Sequence, residues 1–190
     1  MLTKLEALNI ILGSAQLSPV ESLDSGDIDA ETAESILKET LEEVQTRGWS
    51  WNKEVIKLSP TSEGFLILPH NVLDVDPKNR NLSYIQRGLK LYNKEENTFI
   101  FNKTVEVQIV LGLDFEDLPQ SVRRYVSLKA SRVFQQRTLG DPNINQYIMM
   151  EEAAAYSQLV MADVRSKDAN MITGGPVSSR MKRRVTSWRR

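Results

Sequence analysis

One histidine and no cysteine set the first limit on what chemistry this chain of 190 residues can do. Thiolate nucleophiles, disulfide frameworks and cysteine-based zinc sites all need cysteine. His70 stands between Pro69 and Asn71, a turn-forming setting, and nothing around it has the layout of a nucleophile elbow. It reads as an exposed loop histidine. Carboxylates come in pairs, Glu42-Glu43, Glu95-Glu96, Asp114 with Asp117, and Glu151-Glu152. Glycoside hydrolysis needs two carboxyl groups facing each other across a cleft, about 5–10 Å apart, whereas neighbouring acids on a helix or turn are normally a solvated face. Gly174-Gly175 before Pro176 lacks the strand-loop-helix context of a phosphate loop. The residues therefore offer no catalytic group, no metal-ligand set and no cofactor site, and the expectation is a protein that is not an enzyme.

Charge points towards macromolecular contacts. The whole chain carries a net charge of −1, with 26% charged and 41% hydrophobic residues, an ordinary balance for a globular protein. Its final segment differs: SSRMKRRVTSWRR holds Arg180, Lys182, Arg183, Arg184, Arg189 and Arg190, no acid, and a lone Trp188. Thr173-Gly174-Gly175-Pro176 cannot continue a helix, so residues 173–190 are expected to form a flexible basic tail. Such a tail serves as a nucleic-acid arm, or orders on a protein partner with Trp188 as anchor. No apolar run is long enough to span a membrane, and the N-terminus lacks a signal-peptide layout, so a protein made and folded in a cytoplasm is expected.

The elements that would carry these contacts follow from periodicity. Thr3 to Glu6 reads as a capping box opening a short helix with Leu5, Leu8, Ile11 and Leu12 on one face. Residues 29–51 give the strongest signal. Asp29 can cap a helix, Ala33, Ile36, Leu37, Leu41 and Val44 form one stripe, Arg47 suits the last turn, and Gly48 is a left-handed stop. Trp49 and Trp51 follow; on an extended strand both rings would point to one side, so the core is expected around this helix and the Arg47-Gly48-Trp49-Trp51 corner. From Lys53 to Leu113 short apolar runs alternate with turn residues: Val55–Leu58, Phe65–Leu68, Val72–Val75, Leu82–Ile85, Leu89–Tyr92, Thr98–Phe101 and Val105–Leu111. This predicts a small antiparallel sheet or barrel.

Helical texture returns at Glu116. Val122, Tyr125, Val126, Ala130, Val133 and Phe134 form a stripe interleaved with Arg123, Arg124, Lys129, Arg132 and Arg137. Asp141-Pro142 then opens a long helix to about Met171. One of its faces carries Ile144, Tyr147, Ile148, Ala155, Leu159 and Ala162, and a second carries Met149, Met150, Ala153, Tyr156, Val160 and Met161. A helix apolar on two sides is either central and buried or a subunit interface, and the interface is the preferred reading. The fold class is then α+β: a bundle of about four helices (residues 1–52 and 116–172), an inserted β-rich domain (53–115) and the tail.

The ordered segments ALNIILGSAQLSPVESL, DAETAESIL, TRGWSWN and DLPQSVRRYVSLKASRVFQQRTLGDP resemble the tail tubular protein A family, the head-to-tail adaptors of short-tailed, autographivirus-type podoviruses. The resemblance rests most on Arg47-Gly48-Trp49 followed by Asn52, and on Ala130-Ser131-Arg132, Phe134, Arg137 and Gly140. It covers roughly residues 5 to 170, while the β-region and the tail match in length and texture only.

The resemblance implies a helical bundle with a β-rich insertion that assembles as a twelve-subunit ring in the virion tail. Such a ring sits beneath the portal, joins it to the tail nozzle, supports the tail fibres, and passes double-stranded DNA through its lumen. A closed ring uses heterologous contacts, one face of each subunit on a different face of the next. Arg123, Arg124, Arg132 and Arg137 could meet Glu39, Glu42 and Glu43 of a neighbour, with Met149 and Tyr156 also at the interface. The basic tail would reach the portal, since a lumen that conducts DNA must not hold its phosphates. Two further classes stay open: a polysaccharide-degrading tail component, and a small DNA-binding protein that uses the tail.

Overall fold

The computed structural model describes residues 1–78 and 83–174, with side chains as far as 167. The basic segment from Arg180 to Arg190, Trp188 included, lies outside the described residues. Among the described residues, four α-helices and five antiparallel strands occur in the order α1 (Lys4–Ser14), α2 (Ile28–Thr46), β1 (Lys53–Leu58), β2 (Val72–Pro77), β3 (Tyr84–Arg87), β4 (Lys90–Asn93), β5 (Val105–Leu111), α3 (Gln120–Thr138) and α4 (Pro142–Gly174). The class is α+β.

Local chemistry sets the helix ends. At α1 the capping box forms: Thr3 Oγ1 accepts the Glu6 N–H at 3.2 Å and Glu6 Oε2 accepts the Thr3 N–H at 2.8 Å. The N-cap of α2 is Asp27, not Asp29; Asp27 Oδ1 accepts the N–H groups of Asp29 and Ala30 at 2.9 and 3.0 Å. Asp29 lies inside the first turn, where its charge still faces the exposed N–H groups. Gly48 ends the run at φ 71°. Asp141 opens α4, its Oδ1 accepting from Asn143 and Ile144 at 2.7 and 3.2 Å.

The expected extended segment carrying Trp49 and Trp51 is instead a turn, because Asn52 Oδ1 accepts the Trp49 N–H at 2.8 Å and folds the chain back. Trp49 is buried and Trp51 half-buried, and both still join the helical core. The hub of that core is α3, not α2: α1, α2 and α4 each pack on α3. Its inner residues Val122, Val126, Ala130 and Phe134 meet Leu8, Ile11 and Leu12 of α1, Ala33, Ile36 and Leu37 of α2, and Leu159 of α4 in one apolar cluster.

The strands hold a second cluster built on Leu66, Leu91, Val107 and Ile109. β5 is the centre of a three-stranded sheet, order β1-β5-β2, with Val107 opposite Ile56 and Pro77. Val105, Val107 and Ile109 point inward while Glu106 and Gln108 are half-exposed, the alternation of a sheet with one wet face. β3 and β4 form a separate hairpin. The Phe65–Leu68 and Thr98–Phe101 runs give isolated bridges, Phe65 to Ile100 and Asn93 to Thr98, not strands.

Two amides join the helices to the sheet. Gln45, buried on α2, donates from Nε2 to the Leu113 carbonyl at 3.0 Å and accepts the Leu113 N–H on Oε1 at 2.7 Å. Asn52 donates from Nδ2 to the carbonyls of Gln45 and Leu111 at 3.0 and 2.9 Å. Side-chain amides here replace a backbone ladder where the chain leaves regular structure.

Candidate interaction site

The corner after α2 places several large side chains against α4. The Arg47 guanidinium lies 5.5 Å from the ring centroids of both Trp49 and Tyr156, and its Nη1 donates to the Tyr156 hydroxyl at 2.6 Å. Tyr125 of α3 packs against Tyr156 with centroids 5.3 Å apart, and Trp49 meets Tyr156 edge-on at 6.5 Å. Burial, then the nearby Glu152 carboxylate, pushes the Tyr125 phenol above its ordinary range. Beside them Arg132 Nε donates to Glu152 Oε2 in a half-buried pair, and that bond holds the Arg132 charge more firmly than usual. These groups, with Met149 and Ala153 on the rim, line an open cleft of about 530 Å³. It offers stacked rings and a fixed cation, without a nucleophile.

The outer side of α4 is the larger feature. Ile148, Ala155, Leu159 and Asp163 face inward. On the far side Tyr147 (72% exposed), Met150 (58%), Met161 (59%) and Val164 (48%) stand in solvent with Ala153, Ala154 and Ser157 between them. Glu151, exposed one turn from Tyr147, borders this stripe. Neither expected face holds in full: Tyr147 and Ala162 leave the first for solvent, while Tyr156 and Val160 of the second pack against the helical core.

The cations of α3 divide clearly. Arg123 is 4% exposed and stays within the subunit: its guanidinium donates to the carbonyls of Leu2, Leu118 and Glu116 and to the Glu116 carboxylate. Lys129 pairs with Glu43 at 2.6 Å and Arg137 approaches Glu39 at 3.5 Å, so two acids expected to meet a neighbour already face cations of their own chain. The side chains of Arg123 and Arg132 are likewise engaged internally, Arg123 by the segments before α1 and before α3 and Arg132 by Glu152 of α4. Arg124 is exposed and has no acidic partner among the described residues.

Asp163 is a buried residue that periodicity did not single out. Its Oδ1 accepts the Ser50 N–H at 2.7 Å and its Oδ2 takes Lys167 Nζ at 2.6 Å, tying α4 to the tryptophan turn. A lone acid on the Ile148-Ala155-Leu159 stripe, with lysine four residues on, was the available signal. His70 is exposed, at the edge of a cleft of about 750 Å³ between α2 and the ends of β2 and β5. Two acids of that cleft, Glu34 and Glu116, are paired with Lys4 and Arg123. Among the described residues no group of three or more His, Asp or Glu side chains is arranged to hold a metal ion, and no helix is long and apolar enough to cross a membrane.

Comparison with known proteins identifies relatives of this chain. The chain is 29% identical over 161 residues to tail tubular protein A of Klebsiella phage KP34, covering 84% of this chain and 86% of that protein. The family model for the tail tubular protein matches residues 5–169, which takes in all four helices but the end of α4, the whole β-region and the Arg47–Asn52 corner. The chain therefore belongs to the tail tubular protein family, structural proteins of the bacteriophage tail.

Proposed function

We propose that the protein is a head-to-tail adaptor of a short-tailed phage: a ring of identical subunits, twelve by resemblance, seated between portal and tail nozzle. The observation that carries this reading is the largely apolar, solvent-facing stripe on α4 of a tail tubular protein. A long apolar helix face without a covering element is what a subunit expecting a neighbour presents. The helical part, residues 1–52 and 116–172, forms the ring wall, and the β-rich part, 53–115, supplies loops for the nozzle and for tail fibres. DNA passes through the lumen on packaging and ejection. Assembly takes place in the host cytoplasm.

The basic tail binds the portal. Arg180, Lys182, Arg183, Arg184, Arg189 and Arg190 supply charge to an acidic portal surface, and Trp188 supplies an anchor. Truncation after Gly175 is expected to leave a folded protein that no longer docks.

Mass photometry of the purified protein, alone and with portal particles of the same virus, tests the adaptor reading. A portal species heavier by about a dozen copies is expected, because a closed ring gains avidity from repeated contacts. Portal of unchanged mass, with the protein left monomeric, overturns it.

A further inference from the structure

The α4 stripe needs an occupant, and its dimensions restrict the choice. From Tyr147 to Val164 it runs about 27 Å at 1.5 Å per residue, and a helix is about 10–12 Å wide. Roughly 300 Å² of apolar surface results, well short of the ~800 Å² per partner that a free-standing complex buries. Alone it is too small for a stable two-fold pair. It suffices where every subunit makes the contact twice, once with each face, and the ring closes.

A different face with matching features lies on α1. The outer side of α1 and the start of α3 form an open groove of about 620 Å³ lined by Met1, Leu2, Glu6, Asn9, Ile10 and Gln120. Met1 and Ile10 are exposed, and Glu6 is engaged in the α1 capping box. This groove and the α4 stripe belong to different sides of α3: Ser131 and Gln120 face α1, whereas Tyr125 and Arg132 face α4. The two surfaces of one subunit therefore cannot cover each other.

Charge fixes the match. Gln120, Arg124, Ser127 and Ser131 follow one another on a single face of α3, so Arg124 stands one turn from the groove. It is exposed and unpaired among the described residues. Glu151 follows Met150 on α4 and lies one turn from Tyr147 on the exposed side, also unpaired among the described residues. Resting on the ring reading, we propose that α4 of one copy seats on the α1 groove of the next, with Tyr147 and Met150 over Ile10 and Leu2, and Glu151 reaching Arg124. The contact is heterologous and propagates around the ring.

The absence of cysteine makes the test clean. Ile10→Cys and Met150→Cys are introduced singly and together at these exposed positions, and the protein, alone and on portal particles, is treated with a short bismaleimide. The double variant is expected to give a ladder of covalent species beyond the dimer, and neither single variant to cross-link. Dimers from Met150→Cys alone mean a two-fold α4–α4 contact and overturn the proposal. Rings seen by mass photometry without a ladder overturn this contact and leave the ring; no oligomer in either condition removes the ring reading and the contact with it. A charge swap gives an independent readout: Arg124→Glu and Glu151→Arg should each weaken assembly at least tenfold, and the combined variant should recover most of it. Two single variants that assemble normally also overturn the proposal.

Discussion

Asp163 on α4 accepts the backbone N–H of Ser50 at 2.7 Å across 113 positions of sequence, and so the last long helix holds the turn that carries both tryptophans. The carboxylate is 6% exposed, and Lys167, more than half exposed, completes its shell. Loss of a hydrogen bond to a charged, buried acceptor costs about 1.5–3 kcal/mol, and a surface lysine adds little. Asp163→Ala should therefore lower the melting temperature by about 4–10 °C in a chain of this size. Asp163→Asn keeps an oxygen for Ser50 and should lose less than half of that. Equal losses in thermal unfolding would show that the charge, not the acceptor, matters.

The same carboxyl has a pH signature. Burial pushes its pKa up, but the bonds from Lys167 and Ser50 outweigh that, and the net shift is downward. A carboxyl lowered in the folded state adds stability above its unfolded pKa of about 3.9, and loses it as pH falls through the lower folded value. The gap in melting temperature between the natural protein and Asp163→Asn should be constant from pH 7 to 5 and should close below about pH 4. A gap that widens on acidification would reverse the assigned direction. Glu6 and Glu106, which are also lowered, are common to both proteins and cancel in the difference.

Gly48 and Gly13 should respond oppositely to alanine. At Gly48 φ is 71°, and an added Cβ would fall 2.3 Å from Lys53 Cε and 3.1 Å from Val110 Cγ2. The lysine can swing away, but the left-handed backbone penalty of about 1–2 kcal/mol remains, and Val110 must give as well. Gly48→Ala should destabilise by at least about 1–2 kcal/mol, and Lys53→Ala should not rescue it. Gly13 sits in α1 with open space around its Cβ position, so Gly13→Ala should stabilise by about 0.5–1 kcal/mol. Urea denaturation at matched m-values distinguishes the two.

Helix existence, several helix ends and the one-sided β5 strand were legible because each depends on neighbours a few residues apart, although α4 runs to Gly174, through the Thr173-Gly174 pair expected to stop it. Thr3 with Glu6, Asp141 with Pro142 and Gly48 state their roles locally. What was not legible depends on distant partners. Nothing near Asn52 says that its amide will span Gln45 and Leu111 and bend the tryptophan segment into a turn. The burial of Arg123 is equally hidden, since the carbonyl of Leu2 that receives it lies 121 positions away. The α2 cap was misplaced by two residues because Asp27 and Asp29 are both suitable side chains, and only backbone geometry decides between them. The candidate site was half visible. Met150, Ala153 and Met161 of the expected second face of α4 are exposed, but Tyr156 and Val160 of that face pack on the core, and whether these or Tyr147 turn inward depends on how α4 sits on α3.

Gln45 supplies the sharpest test of how the helices hold the sheet. It is 1% exposed, and its amide meets both backbone groups of Leu113 just beyond β5, donor to acceptor and acceptor to donor. Gln45→Ala leaves a half-buried N–H and carbonyl of Leu113 without partners, at about 1–3 kcal/mol each at most. A loss of roughly 2–4 kcal/mol is expected, with faster amide exchange at Leu113 ahead of the rest of β5. Gln45→Glu separates the two bonds. At pH 7 the carboxylate can still accept the Leu113 N–H but faces the Leu113 carbonyl with no proton to donate, so burial and repulsion raise its pKa in the folded state. A group raised on folding is least damaging below its unfolded pKa, about 4.3 for glutamate, and costs more as pH climbs towards the folded value. Gln45→Glu should therefore regain stability relative to the natural protein as pH falls from 7 to about 4.5, while Gln45→Ala stays parallel. Parallel curves for both variants would mean that the Nε2 donor contributes nothing and that the acceptor alone secures the junction.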